Sequence, residues 1–334
     1  MRRPYLLVGD IGGTHSVFEL FENRGDRAHP MHEQSYRSGA FPDFGALLGD
    51  FLAQAPVRAA AGGIGAACFS VAGPVEGSAT TLTNLDWRID APDVSARFDL
   101  PEVLLVNDFA AVGHGIGELG EHDMITLQRA VAQPHGTRLV VGAGTGLGVC
   151  ILTWQNDGYA VHASEAGHTD FAPVTETQDE LLASLRKAFG RVSYERVVSG
   201  PGLLRIFSFL QDSGAGMPSQ QLLDAMRHRD EAAAISEFAI DKLDPLAVRA
   251  LGLLVEIYGA FAGNMALATL ARGGVYIAGG IARQIARKLG DGSFVRAFTD
   301  KGRFSDLLRR HPLHIVTDPK VGLKGALLLI RKSL

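Results

Sequence analysis

Cysteine is nearly absent from this chain. Cys68 and Cys150 are the only two in 334 residues, and both stand in apolar runs, which marks them as small buried thiols of a reducing compartment. Two isolated thiols build neither a disulfide framework nor a cysteine-based zinc site. An excess of either charge is missing too. The 32 basic residues are mixed with 36 acidic ones for a net charge of −4, with no basic stripe of the kind that binds nucleic acid. The richest basic stretch, Leu308-Arg309-Arg310-His311, reads as a solvated helix end. A long uncharged apolar run is also lacking. Arg2-Arg3 opens the sequence, but Asp10 interrupts the apolar stretch that follows, too early for a secretory h-region. The segment that comes closest to a membrane span, Leu251 to Leu270, carries Glu256 and Asn264. A carboxylate at the centre of a span costs about 2.5–3.5 kcal/mol, so a buried helix in a soluble, cytoplasmic protein is expected.

What is plentiful is glycine: 40 of 334 residues, roughly 12% against a usual value of about 7%. The glycines have no collagen period and cluster in short turns beside apolar runs, the pattern of an enzyme with glycine-rich ligand loops. The length suggests about two domains at roughly 150 residues each.

Leu6-Leu7-Val8-Gly9-Asp10-Ile11 reads as a strand running into the turn Gly12-Gly13-Thr14, and Val17-Phe18-Glu19-Leu20 as its hairpin partner. Ile64 to Val71 is a second strand, closed by Gly73-Pro74. Val103 to Val106 is a third, ending on Asn107-Asp108 ahead of a helix. Arg138 to Val141, the turn Gly144-Thr145-Gly146 and Val149 to Leu152 repeat the opening plan about 130 positions later, which suggests two related halves with Asp10 opposite Ala143. An amphipathic helix is expected over Asp179 to Gly190. A long apolar helix is expected over Ala247 to Ala271, with a break allowed at a glycine, and a strand from Gly273 is closed by Gly279-Gly280. Strands alternating with helices give an α/β class with mixed sheets.

The chemistry begins with the two hairpins. A turn without Cβ atoms lets several N–H groups converge on an anion, and a threonine hydroxyl adds a donor. Neither turn is a Walker A loop, since no Gly-Lys-Ser/Thr follows. One such turn is ordinarily structural; two, each ending an apolar strand, suggest a clamp on a polyphosphate. Gly115-Ile116-Gly117-Glu118-Leu119-Gly120 fits the dinucleotide expression, but a helix and not a strand precedes it, so its context fails. Asp10, at the mouth of the first turn, could hold Mg²⁺ through water or simply cap the turn. Asn107-Asp108 lies at the carboxyl end of a strand, where open sheets place ligands. Asp108 could accept a hydroxyl proton, or the pair could cap the helix. Glu165 and His168 offer an acceptor and a dual donor/acceptor three residues apart, without the partners a zinc or di-metal site needs. Glu195 is either a ligand or a surface carboxylate paired with Arg196. Carboxylates, an amide and an imidazole suit a polyol, so a polyol phosphotransferase is the reading from the residues.

At this point the sequence resembles the bacterial glucokinase family, the ATP-dependent group without the zinc motif. The resemblance runs through Leu7 to Thr14, Leu82-Thr83-Asn84, Val106-Asn107-Asp108-Phe109, Gly142 to Gly148, Glu165 to Pro173, Glu195 to Gly202, Gly274 to Ile281 and Phe298 to Phe304, in family order. It implies an actin-like (ribonuclease H-like) α/β fold of hexokinase type, with two domains around a deep cleft. Residues 1–117 with 317–334 would form the small domain and residues 118–316 the large one, which would also carry a homodimer contact. It further implies D-glucose and Mg-ATP as substrates, with Asp108 as the base. Asn84, Asn107, Asp108, Glu165, His168 and Glu195 would hold the sugar. Gly9, Asp10, Ile11, Gly12, Gly13, Thr14, Gly144, Thr145, Gly146, Gly279 and Gly280 would serve the nucleotide, and Asp10 the Mg²⁺ through water. This chain departs from many relatives at His15, at Val17, where a basic residue is frequent, and at Ala166; the change at Val17 implies altered ATP affinity.

Other readings remain. Kinases for mannose, fructose or N-acetylated hexosamines mostly carry a cysteine-rich zinc motif that two cysteines cannot supply. A sugar-sensing regulator would need a DNA-binding segment before Leu6. A nucleotide-switched ATPase has no use for the sugar set.

Overall fold

The structure, a computed structural model, describes residues 3–25, 27–82 and 85–333; Asn84 lies outside them. The chain divides into two compact units, Met1–Leu119 with Lys320–Leu334, and Gly120–Pro319. The crossings fall at 119 and 319 against the 117 and 316 read from the sequence. At the first, a 3-10 turn over Ile116–Glu118 prolongs the preceding helix. At the second, the Thr317 N–H donates to Asp123 O at 2.8 Å and holds that residue to the second unit.

The first unit opens with β1 (Tyr5–Ile11), β2 (His15–Arg24) and β3 (Arg27–Arg37), followed by α1 (Phe44–Ala53) and α2 (Ala55–Ala60). Then come β4 (Ile64–Val71), the small hairpin β5 (Ala79–Thr81) and β6 (Arg88–Asp90), α3 (Ala91–Phe98), β7 (Val103–Asn107) and α4 (Asp108–Gly115). The main sheet has the order β3-β2-β1-β4-β7; β1, β4 and β7 are parallel, β2 and β3 antiparallel. β1 is apolar from Leu6 to Val8 because both its faces are covered there. Leu7 and Ile11 pack with Phe18, Phe69 and α1, while Leu6 and Val8 pack with Ala66 and Cys68 on the other face. β3 went unread in the sequence because Arg27–Arg37 is a polar edge strand with exposed side chains and no apolar period.

The second unit holds β8 (Met124–Gln128), β9 (Arg138–Ala143), β10 (Leu147–Gln155), β11 (Gly158–Ser164), α5 (Glu176–Phe189), α6 (Gly200–Asp212), α7 (Gln220–His228), α8 (Glu231–Glu237) and α9 (Pro245–Thr269). It continues with β12 (Gly274–Ala278), α10 (Gly279–Gln284), α11 (Ala286–Leu289), α12 (Ser293–Thr299), α13 (Ser305–Leu308) and β13 (Leu313–Val316). Its sheet runs β11-β10-β9-β12-β13-β8. The first five strands repeat the order and directions of the first unit's sheet, an antiparallel hairpin pair followed by parallel strands. The registers correct the equivalence read from the sequence. The closing pairs are Ile11↔Ser16 and Ala143↔Leu147, so Asp10 corresponds to Gly142 and not to Ala143.

α9 is continuous over 25 residues. It is long and apolar enough to cross a membrane, but 78% of its apolar window is buried inside the fold, where it is the core helix of the unit. Its glycines are notches and not breaks: a Cβ on Gly259 would lie 2.4 Å from Phe294 O, and one on Gly263 2.3 Å from Phe298 O, where α12 crosses. A second correction concerns Leu308-Arg309-Arg310-His311. Leu308 and His311 are fully buried, leaving only the two arginines in solvent. The chain ends in α14 (Val321–Lys332), back in the first unit, where Leu323, Ala326 and Ile330 cover the Leu6/Val8 face of the sheet.

Candidate active site

In the first unit, register brings the candidate residues to one edge. Val106, Ser70, Asp10 and Val17 stand side by side on β7, β4, β1 and β2. Ser70 Oγ donates to Asp10 Oδ1 at 2.9 Å. The Asp10 side chain remains open to solvent, yet the protein atoms around it strip hydration; this desolvation pushes its carboxyl up, and the Ser70 hydroxyl pulls it back. The turn beyond it is closed by Gly12 N–H to His15 O at 3.0 Å. It is held from outside by Ser38, whose N–H donates to Thr14 O at 3.0 Å and whose Oγ donates to Gly12 O at 2.7 Å. The side-chain positions of Gly9 and Ile11 face the core. A Cβ on Gly9 would meet the Phe18 and Phe69 rings at 2.9 Å, and the Ile11 side chain is in the core. Both support the hairpin from below.

Asn107 caps α4, Oδ1 accepting the Ala110 N–H at 3.1 Å, and its Nδ2 donates to Gly73 O at 3.0 Å. The amide keeps one donor and one lone pair for a ligand. Asp108 is the first residue of α4, and its Oδ1 accepts the Phe109 N–H at 2.8 Å. The side-chain cap of α4 therefore belongs to Asn107, while the Asp108 carboxylate binds the adjoining Phe109 N–H.

In the second unit, Glu165, His168 and Glu195 converge. His168 Nε2 lies 3.9 Å from Glu165 Oε2, and its Nδ1 3.9 Å from Glu195 Oε1. Glu195 also reaches the second turn: its Oε2 accepts the Leu147 N–H at 3.0 Å and lies where a Cβ on Gly146 would be, 2.6 Å away. The surface pairing with Arg196 is thereby overturned, for the Arg196 guanidinium lies over the Phe189 ring at 4.4 Å. The turn is closed by Gly144 N–H to Gly146 O at 2.8 Å, and Gly144 O accepts the Gly200 N–H at 2.9 Å. Beneath it, Tyr258 of α9, fully buried, accepts the Ala143 N–H at 3.2 Å and donates to Val141 O at 3.3 Å. Gly279 follows β12 at φ +89°, with the space for its Cβ taken by Ala143 O at 2.6 Å, while Gly280 opens onto free space.

Several supporting residues were not legible in the sequence. Ser70 and Ser38 are strand and turn serines with no local signature. Arg191 holds the His168 loop through His168 O at 2.9 Å and Asp170 Oδ1 at 2.7 Å. Ser199 donates to Glu195 O at 2.7 Å and accepts the Gly202 N–H at 3.1 Å; a Ser before Gly-Pro-Gly is the one visible signal, an N-cap.

The donor set can be tested against a metal. Among the described residues no three His, Cys, Asp or Glu side chains gather as a protein cage. Asp10 is instead one accessible carboxylate with its charge under-solvated, which suits Mg²⁺, a cation that keeps its waters and binds through one or two carboxylates plus substrate phosphates.

Two sheets that share a five-strand order, each with a Gly/Thr turn in its hairpin, define the class: an actin-like ATPase fold of hexokinase type, the scaffold of sugar kinases. The Glucokinase family model matches residues 7–333. A curated glucokinase of Nostoc sp. is 41% identical over 97% of this chain and 98% of its own. The crystal structure of a glucokinase from an Antarctic psychrotroph shares 29% identity at a TM-score of 0.80, covering 98% of this chain and 99% of that one. A ROK family glucokinase from Streptomyces griseus, solved in complex with glucose and AMPPNP, superposes at a TM-score of 0.67 over 98% and 99% of the two chains. At 22% identity that likeness carries the fold alone. The chain belongs to the glucokinase family.

Proposed function

We propose that this chain transfers the γ-phosphoryl group of Mg-ATP to the 6-hydroxyl of D-glucose, giving glucose 6-phosphate and ADP. The observation that carries this reading is the convergence of Glu165, His168 and Glu195 on one point that also touches the second glycine turn. A polyol site is thus wired to a phosphate site by a single carboxylate. The family membership supports the same substrates.

In this reading Glu165, His168, Glu195 and Asn107 take the sugar hydroxyls, with Asn84 assigned to the sugar by resemblance. The 6-oxygen forms a bond to the γ-phosphorus as the bond from that phosphorus to the β–γ bridging oxygen breaks, and the hydroxyl proton passes to the Asp108 carboxylate. Gly12, Gly13 and Thr14 on one hairpin and Gly144, Thr145 and Gly146 on the other offer N–H groups to the phosphates, with Gly279 and Gly280 leaving room for the adenosine. Asp10 would hold Mg²⁺, which would neutralise charge on the phosphate oxygens. Little covalent work falls to the protein, so positioning and charge neutralisation carry the rate. A cytoplasmic enzyme suits two buried thiols, the Cys68 thiol being pushed up to about 12 by burial. A homodimer is the assembly implied by the family resemblance.

The test is ADP release from Mg-ATP in the presence of glucose, mannose, fructose, galactose or N-acetylglucosamine, with Asp108→Ala as control. Turnover on glucose, lowered about 10²–10⁴-fold in the variant with glucose binding retained, is expected. Turnover on another sugar alone would change the substrate, and an unimpaired Asp108→Ala would remove the base.

A further inference from the structure

We propose that Arg37, at the end of the edge strand β3, binds the phosphate chain of the nucleotide held on the first hairpin and sets the affinity for it. This rests on the reading of Gly12-Gly13-Thr14 as a phosphate turn. Residues directly opposite one another in a sheet share a face. Asp10, Val17 and Ser35 form one such row across β1, β2 and β3; the next pair toward the turn is His15 opposite Arg37. Arg37 therefore projects from the face that carries Asp10, two residues closer to the turn.

Its backbone is fixed there. The next residue, Ser38, is the one whose N–H and hydroxyl bind Thr14 O and Gly12 O. Ser38 and Ser16, which share a hydrogen bond at 2.9 Å, are both fully buried. The strand end is thus laced to the glycine turn, while the Arg37 side chain is exposed. Among the described residues it makes no hydrogen bond and no ion pair. Farther from the turn on this face, Lys320, at the start of α14, holds both Glu19 and Glu33. Opposite Asp10, β2 carries the apolar Val17, packed into the core under α14. The turn thus has backbone donors and a carboxylate for the metal, and the neighbouring strand brings a cation beside it.

A nucleotide polyphosphate remains anionic with Mg²⁺ bound, and guanidinium–phosphate hydrogen bonds are the strong, charge-assisted kind. Without a ligand, Arg37 stays solvated and costs the fold nothing.

The experiment is titration calorimetry of Mg-ATP, Mg-ADP and adenosine on the full chain and on Arg37→Ala, Arg37→Lys and, as a control at the far end of the same strand, Arg27→Ala. Initial rates and melting temperatures accompany it. Arg37→Ala is expected to weaken Mg-ATP and Mg-ADP by about 5–30-fold and to raise the KM for ATP in step. It should leave adenosine affinity, glucose KM and melting temperature unchanged. The salt dependence of ATP binding should flatten, and lysine should restore part of the loss. Mg-ATP affinity equal to that of the unmodified chain in Arg37→Ala would overturn the proposal. If Arg37→Ala lowers the melting temperature, Arg37→Gln replaces it under the same criterion. A chain that binds no nucleotide at all would instead overturn the phosphate-turn reading beneath it.

Discussion

Glu195 Oε2 accepts the backbone N–H of Leu147 at 3.0 Å, joining a carboxylate of the Glu165/His168/Glu195 cluster to the residue that closes the second glycine turn. The two arms of this carboxylate do different work, since Oε1 faces His168 while Oε2 pins the turn. Glu195→Gln keeps an acceptor for Leu147 and loses the charge, so it should weaken glucose binding about tenfold with ATP KM little changed. Glu195→Ala loses both, and its ATP KM should rise as well. Glucose titration and ATP KM measured on both variants check this; equal ATP effects in the two would show that Oε2 does not hold the turn.

At Asp10 the charged form of the side chain works against stability. Desolvation raises its carboxyl above the ordinary value of 3.8, so its ionised form is penalised in the folded state. Stability from this group is full below that ordinary value and is lost as pH rises through the raised one. Asp10→Asn should therefore melt higher than the parent at neutral pH, with the difference vanishing in acid, and should lose Mg-dependent activity. Ser70→Ala removes the hydrogen bond that lowers this carboxyl, which should move the acid limb of the rate profile to higher pH. Melting curves and pH–rate profiles of the two variants decide it.

The helix that begins at Asp108 is seated by glycine contacts. A Cβ on Gly325 of α14 would lie 1.8 Å from Ala111 O, and one on Gly115 of α4 2.0 Å from Val321 O. Both partners are backbone, so a methyl group must push the helices apart. Gly325→Ala should destabilise the fold by about 1–3 kcal/mol and lower kcat through displacement of α4. Urea unfolding and kcat of this variant test it; parent-like values for both would show that α14 does not seat α4.

His311 predicts an acid weakness in the second unit. It is fully buried, Nδ1 donating to Leu307 O at 2.9 Å, and Nε2 has no partner among the described residues. Burial lowers its pKa below the ordinary 6.5, the Leu307 carbonyl opposes this, and the charges of Arg272 and Arg310 add to it. The stability that goes with the neutral ring is complete above 6.5 and is lost as pH falls through the lowered value. His311→Phe should flatten the fall in melting temperature between about pH 7.5 and about pH 5. His314 and His114, also lowered by burial, keep some slope. An unchanged slope would assign the acid loss to those two.

What the sequence by itself determined is what neighbours along the chain can decide. Both glycine hairpins, the Asn107 cap and the Glu165–His168 spacing rest on hydrogen bonds between residues near one another in the chain, and the apolar run that ends on Asn107-Asp108 marks its strand without saying which strand it joins. The same locality let the sequence place Gly115 outside any dinucleotide loop, though not say that it seats α14. The tertiary structure decided the rest. Glu195 could have been a surface carboxylate until folding brought it to Leu147, 48 positions away. Ser70 meets Asp10 only through the β1–β4 register, and Arg37 reaches the first turn only because a polar edge strand, invisible to hydrophobic period, pairs with β2. Partners across parallel strands and edge strands are chosen by packing of the whole sheet, and no local pattern of residues encodes which distant side chain arrives.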